Sequence, residues 1–279
     1  MPLDYTGRTA LVTGASGGIG ADLARGLAAR GARVLLVARS ADRLDAVADE
    51  IRGRGGAAEA LVADLEPPGA AGALAARLDG AGERVSVLVN NAGFGVQGPF
   101  LDASAEAAEG VIGLNVTALT SLTRRLLPSV VAERGGVLNV ASTSAFVPAP
   151  GLAVYAATKA YVLSFTEALH AELGGAGVRV TCLCPGPVPT GFAERAGMGD
   201  RFFAGGLSSE RVAREGLDGL ARGRLRVVPG WTNKVQVAAT RFTPPALALR
   251  VARAVVGRGD RPDAVGPTVT SGAAIGARP

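Results

Sequence analysis

Thr13-Gly14-Ala15-Ser16-Gly17-Gly18-Ile19-Gly20 is the stretch that decides the fold. A β-type apolar run over residues 9–13 leads into it, and a helical pattern over residues 18–30 leaves it. Glycines let the chain turn tightly there and bring backbone N–H groups against a pyrophosphate. The helix N-terminus adds partial positive charge at the same point. A Gly-rich run alone says little; the strand before it and the helix after it, within a β-α-β unit, give it weight.

The same alternation continues outward. Residues 33–38, 58–63, 85–90, 136–141 and 178–184 read as further strands. Each is nearly continuous in apolar residues, as expected of strands covered on both faces. Residues 41–52, 69–78, 105–133 and 152–173 read as helices. This order predicts an α/β fold: a doubly wound parallel sheet of about seven strands, with right-handed crossovers and helices on both faces. Past the sixth strand the pattern loosens. Residues 192–206 are irregular, a helix starts at Ser208 or Ser209 and runs to about Arg222, and residues 225–228 suggest the seventh strand. Residues 231–258 form a mostly helical C-terminal segment broken at Pro244-Pro245. Residues 1–258 therefore read as one domain. Residues 259–279, rich in Gly, Pro, Ala and Thr without periodicity, read as a disordered tail.

Of the chain's 279 residues 48 % are hydrophobic and only 4 % aromatic, which suits Ala- and Leu-rich helices packed closely on a sheet. Cys182 and Cys184 are i and i+2 in an apolar run. On one strand their Cα atoms would lie roughly 6.5–7 Å apart, at or past disulfide reach, so both read as small core residues in a reducing cytosol. Met1-Pro2-Leu3-Asp4-Tyr5 lacks the basic start and long apolar run of a signal peptide. No uncharged apolar stretch of about 18 residues suggests a membrane span. The expected location is cytoplasmic. Net charge is a modest +5 with arginines spread along the chain, which argues against nucleic acid as a partner.

The second strand ends Val37-Ala38-Arg39-Ser40. A site for NAD places Asp or Glu near this point to bind the ribose hydroxyls. Here Arg39 offers a cation for a 2′-phosphate and Ser40 a further donor, so NADP(H) is the preferred cofactor. Arg33, on the same strand, is a secondary candidate. Farther on, Lys159 stands four residues after Tyr155. Lys159 and Lys234 are the only lysines among 29 basic residues. A compact ammonium one helical turn from a phenol can favour the ionised phenol; Lys234 suggests no role.

With these residues in place, the chain resembles the short-chain dehydrogenase/reductase family in its compact, one-domain Rossmann form, over roughly residues 5–231. The motifs fall in the family's order. The glycine turn comes first, then Asp64-Leu65, Asn90-Asn91-Ala92-Gly93, Asn115, Ser142, Tyr155-xxx-Lys159, and Pro185-Gly186 with Thr190. The resemblance implies a cofactor site of Gly14, Ser16, Gly17, Gly18, Ile19, Gly20, Arg39, Asp64, Leu65, Asn91, Ala92, Gly93, Tyr155, Lys159, Pro185, Gly186, Val188 and Thr190. It implies a catalytic set of Asn115, Ser142, Tyr155 and Lys159. Ser142 would hold the substrate oxygen and Tyr155 would exchange its proton. Lys159 would bind the nicotinamide ribose and lower the phenol pKa from about 10 towards neutrality, and Asn115 would help hold a water leading from Lys159 to solvent. Asp64 would accept from the adenine amino group, with Leu65 beside the ring. Asn90 to Gly93 would line the cofactor and steady the sheet centre. No metal is implied, and no His/Cys/Asp cluster has ligand spacing. His170, about 16 Å along the helix from Lys159, reads as structural.

The implied enzyme is an NADP-dependent carbonyl reductase or alcohol dehydrogenase. Phe94, Ser144, Phe146, Phe192 and Met198 are the expected substrate pocket, with Phe202 and Phe203 near them. Residues 192–222 would form a lid, and a hydrophobic ketone (lipid-like, acyl or polycyclic) is the expected small-molecule partner. Two other readings stand beside this one. A non-catalytic NADP(H) sensor or scaffold usually loses the tyrosine or lysine, and a sugar-nucleotide epimerase or dehydratase usually has a longer chain and a different glycine spacing. The segment over residues 231–256 mixes Val235, Val237, Phe242 and Leu247 with arginines. It could lie on a membrane surface, but covering the sheet or a partner subunit is the preferred reading. Pairing of helices 105–133 and 152–173 between subunits, common in the family, implies a homodimer or homotetramer.

Overall fold

The computed structural model describes residues 1–191 and 205–240 and, of 241–250, all but 241, 245 and 248. The strands are β1 (Thr9–Thr13), β2 (Arg33–Ala38), β3 (Ala57–Val62), β4 (Val87–Asn90), β5 (Gly136–Val140), β6 (Arg179–Leu183) and β7 (Arg226–Val227). They form one seven-stranded sheet in the order β3-β2-β1-β4-β5-β6-β7, and every pair is parallel. The helices are α1 (Gly18–Ala28), α2 (Ala41–Gly53), α3 (Ala70–Gly80), α4 (Ala105–Ile112), α5 (Leu119–Ala132), α6 (Ala153–Leu173), α7 (Ser209–Ala221) and α8 (Trp231–Thr240). The strand order reverses between β1 and β4, and a crevice opens at the C-terminal ends of the strands at such a reversal.

Successive strand side chains point to opposite faces, and the two faces bury different helices. Val34 and Leu36 of β2 join Leu23 and Leu27 of α1, Leu44 of α2 and Leu217 of α7. Leu35 and Val37 join Leu74 and Leu78 of α3 and Leu122 and Leu126 of α5 on the other face. Toward β6, α6 packs Val162 against Cys182 and Cys184. β3 departs from the expectation of a doubly covered strand. As an edge strand it alternates exposed and partly buried residues, and only Leu61 is buried.

The expected single helix over 105–133 is interrupted. Residues Gly113–Ala118 form a π-helical turn between α4 and α5. Its centre, Asn115, is 1 % exposed, and its amide is bonded to a neighbouring loop rather than left within the helix. A π-turn accommodates an extra residue and often marks a functional position. The boundaries predicted for 231–258 are covered in part: α8 ends at Thr240, while 251–258 and the tail 259–279 lie outside the described residues.

Candidate active site

A cleft of about 630 Å³ lies over the C-terminal ends of the central strands. The glycine turn forms its floor. Gly14 and Gly18 take positive φ values of 66° and 53°, and a Cβ on Gly20 would run into the carbonyl oxygen of Gly14. This is a backbone that side chains would fill, as a pyrophosphate cradle requires. Thr13 fastens it to the next strand, because its hydroxyl accepts from Asn91 N and Ala92 N, each at 3.0 Å. Asn91 Nδ2 donates back to Thr13 O at 3.0 Å and Gly14 O at 3.2 Å.

All eighteen residues expected at the cofactor line this cleft, as do Ser142 and Ser144. Arg39 stands at one end, 3.9 Å from Asp64 and 3.5 Å from Glu66 through its Nη1. Arg43, one turn into α2, joins the same end; it was not expected, although its spacing four residues after Arg39 was there to see. Asp64 also accepts from Glu66 N at 3.0 Å. Arg33 is elsewhere. It sits at the opposite end of β2, where its guanidinium takes both oxygens of Glu83 at 2.6 and 2.9 Å and Glu59 at 2.6 Å. A strand six residues long separates its two ends by about 17 Å, so Arg33 cannot share a phosphate with Arg39.

The other end of the cleft is built by β5, α6 and the turn after β4. Ser142 follows β5, and its hydroxyl accepts from Ser144 N at 3.1 Å and hydrogen-bonds the Tyr155 phenol. Lys159, 5 % exposed, donates from Nζ to Val140 O at 2.9 Å and lies 5.7 Å from the centroid of the Tyr155 ring. A Cβ on Gly93 would come 2.8 Å from Asn115 Oδ1 and 3.3 Å from Lys159 Nζ, so the glycine of Asn90-Asn91-Ala92-Gly93 is needed for this close approach. Asn115 Oδ1 accepts from Phe94 N at 3.1 Å, and its Nδ2 donates to Phe94 O at 2.9 Å and to Thr158 Oγ1 at 3.0 Å. Thr158 in turn donates to Tyr155 O at 2.7 Å. Asn115 does not line the cleft; through Thr158 it holds the helix turn that carries Tyr155 and Lys159. Thr158 was missed in the sequence, where it is one hydroxyl among the unassigned residues of Tyr155-xxx-Lys159.

Asn90 also faces away from the cleft. It donates to Thr123 Oγ1 at 2.9 Å and Asn139 Oδ1 at 2.8 Å, and Asn139 donates to Thr166 Oγ1 at 3.0 Å. Buried amides at the sheet centre are costly unless satisfied, and here they bond α5, β5 and α6 together. His170 bonds Val180 O through Nδ1 at 2.7 Å.

The electrostatics differ from the sequence expectation. Burial pushes the Tyr155 phenol up to about 12, against the opposing Ser142 hydrogen bond, and burial lowers Lys159 to about 8. The desolvated ammonium does not bring the phenol towards neutrality. At neutral pH the phenol is protonated and the lysine charged.

The expected substrate pocket is only partly present. Phe94 and Phe146 do not line the cleft. The Phe94 ring lies against α4, 3.3 Å from where a Cβ on Gly110 would be. Phe146 packs toward the Cys182 and Cys184 cluster, with the Arg226 guanidinium 5.9 Å from its ring centroid. Leu152, Pro187 and Val188 supply apolar surface at this end. Phe192, Met198, Phe202 and Phe203 lie outside the described residues. The two cysteines are buried and free, with their sulfurs 3.6 Å apart.

Residues 8–199 match the profile of the short chain dehydrogenase family. "Oxidoreductase UcpA" of Escherichia coli K12 is 38 % identical over 191 residues, spanning 68 % of this chain and 72 % of that protein. Among solved structures, a short-chain dehydrogenase from Sphingobium yanoikuyae in complex with NADPH superposes with a TM-score of 0.77 at 34 % identity, covering 92 % of this chain and 98 % of that one. A short chain dehydrogenase/reductase from Burkholderia phymatum in complex with NAD has a TM-score of 0.76 at 27 % identity, covering 85 % and 93 %.

Proposed function

Because this chain belongs to the short-chain dehydrogenase/reductase family of oxidoreductases, we propose that it moves hydride between NADP(H) and a ketone or secondary alcohol with apolar substituents. The observation that carries this reading is the hydrogen-bonded Ser142–Tyr155 pair beside a buried Lys159, at the far end of one cleft from Arg39 and Arg43. Those two guanidinium groups favour the 2′-phosphate, which a planar fork of donors can take bidentately. The bound nicotinamide supplies the hydride.

The protein's own residues handle the oxygen. Ser142 donates to the substrate carbonyl oxygen and keeps it beside Tyr155. Tyr155 gives that oxygen its proton as general acid, and the raised phenol pKa keeps the acid form populated at neutral pH. Lys159 holds the ribose hydroxyls and stabilises the phenolate that remains. Asn115 and Thr158 hold the turn of α6 that positions both side chains. Leu152, Pro187 and Val188 favour apolar groups on the carbonyl carbon.

The test is a panel of ketones and alcohols assayed with NADPH and with NADH. The expected result is turnover of bulky apolar ketones with NADPH preferred. Binding of NADPH without turnover across the panel would instead favour a sensor, and better reduction of small polar ketones would remove the apolar-substrate reading.

A further inference from the structure

The surface made by α7, β7 and α8 is basic and apolar at once. In the sequence, residues 219–259 contain eight arginines and lysines and no aspartate or glutamate. Three of the eight, Arg241, Arg253 and Arg258, lie outside the described residues, and α7 carries Glu210, Glu215 and Asp218 just before this stretch. In a chain of net charge +5, the remainder is therefore acidic by three charges. A groove of about 300 Å³ on this side is lined by Arg222, Arg224, Arg226 and Lys234 together with Glu215 and Asp218. The carboxylates are engaged elsewhere, Glu215 by Arg211 at 3.0 Å and Asp218 by Arg30 at 2.8 Å. Arg226 is taken by Glu167 at 3.1 Å. Arg222, Arg224 and Lys234 make no ion pair among the described residues.

Beside this groove α8 is almost unpartnered. Its inner side carries Asn233, which lies against Gly186, and Val237, which packs on the core near Cys184. Its outer side is apolar. Trp231 is 74 % and Val235 59 % exposed, one turn apart, and Phe242 just past the helix is 87 % exposed. A helix with an apolar outer stripe flanked by cations has the chemistry of an interfacial helix, and Trp favours the headgroup level.

We propose that this face docks on an anionic bilayer surface, with Arg222, Arg224 and Lys234 taking lipid phosphates and Trp231, Val235 and Phe242 entering the interface. An anionic surface complements this patch, because Glu215 and Asp218 are already paired while three of its cations have no ion pair among the described residues. Among the described residues no helix is long and apolar enough to cross a membrane, so the contact is one of adsorption.

Trp231 is the chain's only tryptophan, and its emission reports on this face alone. It is titrated with vesicles of phosphatidylcholine, and of phosphatidylcholine mixed with phosphatidylglycerol, with co-sedimentation measured in parallel. The expected result is a blue shift and co-sedimentation only with the anionic vesicles, both reversed by about 0.5 M salt. Each basic side chain near such a surface is worth about five-fold in partitioning. The triple variant Arg222→Gln, Arg224→Gln, Lys234→Gln should therefore bind about a hundred-fold more weakly, with an unchanged melting temperature. No response to anionic vesicles, equal response to neutral ones, or full binding by the folded triple variant each overturns the proposal. So does a Trp231 emission already blue-shifted without lipid in a chain that self-associates, which would assign the face to a second copy.

Discussion

The two ends of the cleft are held in different ways. At the Tyr155 end the polar groups are buried or half-buried and joined by short bonds: Lys159 to Val140 O at 2.9 Å, Thr158 to Tyr155 O at 2.7 Å, and Asn115 to Phe94 O at 2.9 Å. At the Arg39 end the charges face water. Arg39 is 54 % exposed and its nearest carboxylate contacts are 3.5 and 3.9 Å away. Under the proposed function, the groups that would handle the proton are held in place by the fold, while the preference for NADP(H) would rest on charges that face water and are screened. Substitutions should accordingly be severe at the first end and graded at the second.

Tyr155→Phe is expected to have the largest effect. It removes the proton donor while keeping the ring, so ketone reduction should fall about a thousand-fold or more, in the range of a lost general acid. NADPH binding, followed by cofactor fluorescence, should change little. Retained turnover would show that the buried phenol is not the acid, and the contrast between the two ends would lose its basis. Next in size is a pH effect on kcat/KM for reduction, which reports groups of the free enzyme. Lys159, lowered to about 8, is charged below that pH and loses its charge above it. Tyr155, raised to about 12, stays protonated throughout. The rate should therefore be level at neutral pH and fall about tenfold per unit above pH 8. In Lys159→Arg the falling limb should disappear, since a guanidinium does not titrate there.

The same contrast explains what could be seen in the residues beforehand. Strands such as Val34–Val37 are apolar on both sides because both faces are covered, and that pattern is visible without coordinates. So are the glycine turn and the spacing of Ser142, Tyr155 and Lys159, because backbone geometry and one helical turn dictate them. The partners of Asn115 were not visible, since Phe94 and Thr158 are 21 and 43 residues away in sequence. Nor was the direction of the Tyr155 shift: burial of the phenol, which only the packing sets, raises it against the opposing Ser142 hydrogen bond. The placement of Phe94 and Phe146 failed for a related reason. An aromatic residue next to a motif has two sides of the backbone to choose from, and Gly110 and the Cys184 cluster offered better-packed space than the cleft.

The smallest effects separate two arginines that look alike on one strand. Arg39→Asp reverses the charge at the exposed end. It should weaken NADPH by about tenfold and leave NADH within about twofold, because surface charge pairs are worth little and salt screens them. Equal losses for both cofactors would remove the 2′-phosphate assignment. Arg33→Gln should do the opposite. Its guanidinium ties β2 to Glu83 and Glu59, and it holds the Glu83 carboxyl below its ordinary pKa. Breaking this partly exposed network should cost about 0.5–1 kcal/mol of unfolding stability with no change in cofactor preference. That cost should shrink as pH falls toward the carboxylate range: Glu83 is depressed in the folded state, so its contribution is present above the unfolded pKa and is lost as the folded carboxyl takes up its proton. If Arg33→Gln instead shifted the NADPH-to-NADH ratio, the two ends of β2 would be acting on one site, which the length of the strand does not allow.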